Sequence, residues 1–440
     1  MPGTKVVLLL GQRAQQEIGA VNTTLGEQRG SPITSAGVIY ISSYLPQDCF
    51  DRVDHEGRLN PALNGTDTEE DDYTDEFADV GKSRHGATSR KNYRFWLHRD
   101  TRKAIRICKD GGALRLPQPP TYHIYPSSRD IIDSLRSYAN TDFYLDIETD
   151  SNLNITCFGY SFGSSNDIFV VPLLRYDYTT AYSNNGAILR GLAYAMDRNT
   201  TVAHNGAGFD FFVLPYRYRL PIGAKLYDTM IAHHRVFPEV EKSLGHGISN
   251  FTDLPYHKDE GVFEPQNERQ EQSLWSYNGK DVFGMRELKR GLEEYAASVP
   301  GMRDSIAQAN ASIRPYLTMT LTGMRFNDTE RQETIAENDR RLTQYLRLID
   351  AALGKELVTA VRGKSKKGMP GSSSQCATYF HDYCRYPVVK RSKMSGKPSV
   401  DEKALLKLAL KHKNPVIDIV LAYRGVAKES GSLKFTAWKE

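Results

Sequence analysis

Residues 143–149, Phe-Tyr-Leu-Asp-Ile-Glu-Thr, constrain this chain more than any other segment: they read as a strand, yet Asp146 and Glu148 stand among its apolar residues. Successive side chains of a strand point to opposite faces. Asp146 and Glu148 therefore share one face, where they can hold one ion, while Ile147 points into the core. Two more acidic positions follow. Asp210 comes after the turn His204-Asn205-Gly206-Ala207-Gly208-Phe209, whose small residues let a substrate approach closely. Tyr277 and Asp281 are four apart on a helical pattern and so lie on one helix face. Carboxylates converging from distant segments suit hard divalent cations. Two such ions, about 3.5–4 Å apart, stabilise the attacking and leaving oxygens of a phosphodiester displacement. The Tyr277 hydroxyl can then orient a water for in-line attack. Taken singly, the Asp-x-Glu is commonplace, Asp210 is a helix N-terminal acid, and Tyr277 with Asp281 is a surface pair. All three in order predict a metal-dependent nuclease.

The rest of the chain sets this segment in context. Its 440 residues allow two or three domains, and 40% hydrophobic with 25% charged residues is ordinary for a soluble globular protein. A net charge of +4 gives no global basic field, so any nucleic-acid surface is local. Cys49, Cys108, Cys157, Cys376 and Cys384 are scattered, without the spacing of a disulfide framework or zinc site, which fits a reducing cytoplasm. The apolar run 6–10 is too short to span a bilayer and lacks a signal peptide's cleavage pattern. Strands are expected at 6–10, 37–42, 143–147, 155–162, 167–172 and 201–204, and helices at 187–196, from 209 and over 274–295. Residues 55–92, acidic from Asp67 to Asp79 and then basic, read as a solvated, at least partly disordered linker. The chain is strongly helical after Arg303, with a break near 363–371.

"YLDIET", "AHNGAGFD" and "YNGKD" resemble, in order, the three motifs of the DEDD 3′–5′ exonucleases, in the subgroup with tyrosine four residues before the last aspartate. The intervening "LYDTMIAHHRVFPEVEKSLGHGISNFTDLPYHKDEG" is similar to the proofreading domain of family A DNA polymerases, especially those of phages. The resemblance covers about residues 121–300 and implies a ribonuclease H-like α/β domain, a mixed sheet flanked by helices. It implies two divalent cations, Mg2+ or Mn2+. Asp146 would bridge them, Glu148 and Asp281 would complete one site, Asp210 would act at the second, and Tyr277 would stand at the nucleophile. Thr149, His204, Asn205 and Phe209 are the expected contacts of the terminal nucleotide, with core packing for Phe209 and turn fixation for Asn205 as the plainer alternatives. Asp228 reads as a structural acid and Lys280 as an exposed helix lysine, while His233 and His234 cannot share a helix face.

Flanking segments extend the resemblance. "RPYLTMTLTGMRFN" looks like the opening of a family A polymerase region, and the segments after it look like its helical thumb. Lys390, Arg391, Lys393, Lys397, Arg424 and Lys428 suit backbone phosphates there. The palm and fingers have no counterpart, so the chain is expected to be a truncated polymerase or one polypeptide of a split one, partnered by a separate palm and fingers subunit. "KVVLLLGQRA", "LGEQRGSPI" and "GVIYISSYLPQ" are similar to part of a uracil-DNA glycosylase-type domain. Leu45-Pro46 stands where that family carries His-Pro, and leucine cannot donate a hydrogen bond to a departing base, so a scaffolding remnant is expected. The expected organisation is 1–54 remnant, 55–92 linker, 93–120 connecting segment, 121–302 exonuclease and 303–440 thumb-like region. The expected partners are a single-stranded DNA 3′ end and primer–template duplex, with no membrane, in the cytoplasm of a phage-infected bacterium. A catalytically idle DNA-binding module and an RNA-processing nuclease are the alternatives.

Overall fold

The computed structural model describes residues 5–18, 24–44, 46, 90–323, 325, 327–354, 357–358, 361, 369–391 and 396–435, and the chain divides into two compact units, Met1–Gly323 and Met324–Glu440. Most of the expected linker (55–89), Leu45 and Lys393 lie outside the described residues.

The first unit begins with strand β1 (Val6–Leu10), short helices α1 (Gln12–Gln16) and α2 (Leu25–Gln28), and strands β2 (Pro32–Ser35) and β3 (Val38–Ser43). β3 pairs parallel with β1 and antiparallel with β2. Helix α3 (Arg90–Lys109) covers this small sheet where the sequence had suggested only a connecting segment. Its inner face buries Trp96, Ala104 and Ile107 but also Asp100, which hides its amphipathic pattern. Asp100 accepts two hydrogen bonds from Arg29, at 3.0 and 2.7 Å, and the guanidinium lies 3.9 Å from the Trp96 ring centre.

A six-stranded sheet follows: β4 (Thr121–Ile124), helix α4 (Ser128–Ser137), β5 (Asp142–Thr149), β6 (Ile155–Phe162), β7 (Asp167–Pro172), helix α5 (Asn185–Arg198), β8 (Thr200–Ala203), helix α6 (Asp210–Tyr218) and β9 (Lys225–Asp228). The strand order is β4-β7-β6-β5-β8-β9. β5, β6 and β7 run antiparallel in succession, whereas β8 and β9 continue parallel on the other side of β5. This is the expected ribonuclease H-like mixed sheet, with the acidic strand at its middle. β8 pairs with β5 only from Asp142 to Tyr144, so the ladder stops before the carboxylates.

The two faces of β5 do separate as its alternation requires. Phe143, Leu145 and Ile147 enter a core with Ile131 and Leu135 of α4 and Ile188 and Leu192 of α5. Tyr144, on the side of Asp146 and Glu148, packs with α7 (Thr229–Val236), α8 (Leu244–Phe251) and α9 (Glu268–Ala297). α9 approaches the sheet because Gly159, opposite Asp146 in β6, has no side chain; a Cβ there would collide with Asn278 and stand 2.8 Å from Val282. Helices α10 (Met302–Ala311) and α11 (Ile313–Thr322) complete the unit.

The second unit contains α12 (Asp328–Leu353), α13 (Ser373–Ala377), α14 (Glu402–Lys411) and α15 (Pro415–Phe435), around a core that includes Ile349, Phe380, Leu405 and Ile417. Arg424, read from sequence as a phosphate contact, is used inside the unit. Its guanidinium donates to the carbonyls of Pro370 (2.9 Å) and Val400 (2.5 Å), which orders three segments around one planar fork. Lys390 pairs with Asp401 and Arg391 donates to the Gly396 carbonyl. No described helix is long and apolar enough to cross a membrane.

Candidate metal centre

β5 supplies Asp146 and Glu148, and α9 supplies Tyr277 and Asp281. One carboxylate oxygen from each of Asp146, Glu148 and Asp281 lies within 4.8 Å of the others; among the described residues this is the group able to hold a metal. Asp146 and Glu148 are half-buried and Asp281 is buried. Asn278 fixes the first of them by donating from Nδ2 to its Oδ2 at 2.7 Å.

Asp210 begins α6 beside this trio but does not join it. It is buried, and its Oδ1 accepts the backbone N–H of Ile147, the residue between the two β5 acids, at 3.0 Å. The turn before it is built for that position. Asn205 takes the left-handed conformation (φ 61°), and its N–H and that of Ala207 both donate to the Asp228 carboxylate at 3.0 Å. Asp228 also caps α7 through the N–H of Met230, as expected of a structural acid.

The carboxylates perturb one another. Loss of hydration, then the charges of Glu148, Asp281 and Asp210, holds Asp146 well above the usual range. Glu148 is pushed up to about 8 by loss of hydration and then by Asp281. Asp210 rises to about 7, chiefly through burial. Asp281 departs in the other direction: burial alone would raise it, but a hydrogen bond from His257 and the charge of Lys258 outweigh that and lower it. His257 Nε2 lies 2.8 Å from Asp281 Oδ1, and Lys258 Nζ lies 2.5 Å from Oδ2.

Tyr277 is buried against the edge of Phe263, and burial followed by the charge of Asp281 raises its phenol far above the ordinary range. The phenol is therefore a protonated donor at any ordinary pH. Thr149 sits at an irregularity in the β5–β6 register, next to Glu148. The His204 ring nitrogens lie 2.9 Å from Thr229 Oγ1 and 2.9 Å from the Lys242 carbonyl, and burial depresses its pKa to about 4, so it is a neutral, internally bonded ring. Phe209 packs half-buried against the core and Asn205 is exposed. Lys280 pairs with Glu260 on the surface, and His233 is buried between Phe237 and Phe251.

Sequence reasoning did not single out Asn278, His257 or Lys258. Asn278 stands three residues before Asp281, a spacing that puts both on one side of α9. His257 and Lys258 come from an aperiodic segment, so no spacing marks them.

The donor set fits a hard divalent cation: oxygen ligands, converging from two elements, whose mutual repulsion is relieved by a positive charge. The sequence matches no family model and no curated protein. Among solved structures, the fold is similar to the POL domain of Pol1 from M. smegmatis in complex with DNA primer-template and dNTP, at 14% identity and a TM-score of 0.50 over 71% of this chain. The chain spans about half the length of that polymerase, 49%. A second structure, described as the apo form of the nuclease, aligns at 17% identity over 47% of this chain and 93% of its own, with a TM-score of 0.34. At these identities the likeness to the polymerase domain is one of fold.

Proposed function

We propose that this chain is a 3′–5′ exonuclease that hydrolyses 3′-terminal phosphodiesters of DNA with two divalent cations, Mg2+ or Mn2+. The observation that carries the reading is the meeting of Asp146, Glu148 and Asp281 from β5 and α9, with their oxygens within 4.8 Å of one another. Bound there, divalent cations would supply positive charge to the attacking and leaving oxygens of the displacement. Asp146, Glu148 and Asp281 would hold one ion, and Asp146 with Asp210 the other. Tyr277 would orient the attacking water, its protonated phenol held beside Asp281 by α9. Thr149, Asn205 and Phe209 would contact the terminal nucleotide, and His204, bonded to Thr229 and the Lys242 carbonyl, would hold the turn that carries the last two.

The finer reading is a proofreading exonuclease of a phage-type family A DNA polymerase, acting in the cytoplasm of the bacterial host. Residues 121–302 would form the exonuclease, 303–440 the thumb-like start of the polymerase region that grips primer–template, and 1–54 a glycosylase-like scaffold. A separate palm and fingers subunit would complete the polymerase. The likeness of fold to a polymerase domain over 71% of this chain supports the polymerase part of this reading.

The test is digestion of a 5′-labelled primer–template carrying a 3′ mismatch, with Mg2+ or Mn2+, with and without chelator. Stepwise shortening from the 3′ end that chelator stops is the expected result. An intact primer with both metals would refute the exonuclease reading, and equal digestion of a matched RNA strand would refute the DNA preference.

A further inference from the structure

Lys258 belongs to none of the three acidic segments, yet its ammonium lies 2.5 Å from Asp281 Oδ2 and 4.3 Å from the Tyr277 ring centre. It reaches this place from a strap, residues 252–260, that is fastened at both ends. At one end Lys103 of α3 donates to the Thr252 carbonyl at 2.7 Å, and Asp253 accepts from the Arg106 guanidinium and from the Arg115 N–H at 2.8 Å. At the other end Ser273 of α9 donates to the Glu260 carbonyl at 3.0 Å, and Lys280 pairs with the Glu260 carboxylate. Between them His257 is buried against the second oxygen of Asp281. The strap backbone is thus held, while the Lys258 side chain keeps 24% of its surface exposed. A lysine carries a compact charge on a flexible four-carbon stem, so that charge can move while the backbone stays.

An ammonium and a divalent cation repel each other, so each weakens the other's hold on a shared carboxylate oxygen. Asp281 is the member of the metal-holding trio on which a lysine already sits. We propose that Lys258 is an exchangeable counter-ion: it occupies Asp281 until a divalent cation takes that oxygen, and the displaced ammonium then binds the phosphate of the terminal nucleotide. The Tyr277 ring keeps the displaced ammonium in the site, since an aromatic face attracts a cation. The proposal rests on the metal reading above and adds to it a substrate contact drawn from outside the acidic motifs.

The experiment compares the full chain with Lys258→Met and Lys258→Arg, without DNA. Mn2+ binding is titrated by calorimetry, then thymidine 5′-monophosphate is titrated at saturating Mn2+, with circular dichroism melts to verify folding. Lys258→Met is expected to bind Mn2+ about 3–10-fold tighter, because a competing positive charge is gone, and the nucleotide about 10-fold weaker, because a charged donor to its phosphate is gone. Lys258→Arg retains the nucleotide within about threefold of the parent, since the guanidinium also binds phosphate. Unchanged or weaker Mn2+ binding by Lys258→Met overturns the exchange, and unchanged nucleotide binding overturns the phosphate contact; either sinks the proposal. Mn2+ uptake with unaltered affinities removes Lys258 alone. Failure of the parent protein to take up Mn2+ removes the metal reading with it.

Discussion

Where α3 meets the N-terminal sheet, Arg29 gives two hydrogen bonds to Asp100, Ser43 adds a third at 2.7 Å, and Lys103 donates to the carbonyls of Gly30, Ser249 and Thr252. At the end of β5, Asp146, Glu148 and Asp281 face one another, with Lys258 and His257 in direct contact with Asp281. The first region takes charges out of water and sets each against an opposite charge or carbonyls, which ties α3, the small sheet and α8 together. The second keeps like charges together and leaves two of them without a cation of their own. A paired charge inside a protein is weak evidence of function; an unbalanced group of one sign, held rigidly by a strand and a helix, asks for a ligand of the opposite sign.

Removing the unbalanced charges is the sharpest way to test that contrast. Asp146→Ala with Glu148→Ala should lower metal-dependent digestion by about 10³-fold or more, since both oxygens of the displacement lose their stabilisation. The ion-free double variant should melt no lower than the parent, because like-charge repulsion is relieved. A clear loss of melting temperature would make the pair structural and break the comparison.

The paired region should respond in the opposite sense. Asp100→Ala leaves the Arg29 guanidinium buried without its carboxylate, a loss of about 3–5 kcal/mol of stability. Urea unfolding monitored by tryptophan fluorescence measures it, and a change below about 1 kcal/mol would show that the pair contributes little.

The pH dependence of the ion-free protein gives a smaller effect with a definite sign. Glu148 (about 8) and Asp210 (about 7) lie above the values of about 4 expected in the unfolded chain. Between those limits the folded state binds more protons than the unfolded one, so stability falls as pH rises through that window. Saturating Mn2+ should suppress the fall, because the ion takes the place of the protons. Thermal melts from pH 6.5 to 8.5, above the range in which the buried His204 and His233 would gain protons on unfolding, with and without Mn2+ read both. Stability that rises over this range without the ion would refute the raised carboxylates.

Tyr277→Phe should have the smallest effect, about 10-fold on the digestion rate with little change in stability, because the ring still fills its place against Phe263. Rates unchanged at saturating metal would remove the hydroxyl from the reaction.

Much of this was legible in the sequence, for reasons that can be named. The alternation of residues 143–149 gave both the strand and the face of its two acids. The four-residue spacing of Tyr277 and Asp281 put both on one face of α9, and the structure shows that face to be the buried one. Helix α3 was not legible, because its buried face carries Asp100, whose partners Arg29 and Ser43 lie 71 and 57 positions away. The strap bearing His257 and Lys258 has no period to read and acquires meaning only once α9 lies beneath it. Arg424 misled in the other direction, since composition marks a positive charge without showing that it will be turned inward onto two carbonyls.

The early stop of the β5–β8 ladder has a consequence of its own. The seam ends after Tyr144 because β8 gives way at Ala203 to the turn before α6, and the amide of Ile147 is offered to the carboxylate of a helix instead of to a neighbouring strand. A longer, more regular seam would occupy the gap into which α6 inserts its first residue. The opening is therefore a vacancy in the weave that the sheet must preserve: straightening it would make a better sheet and expel Asp210 from the neighbourhood of the other acids.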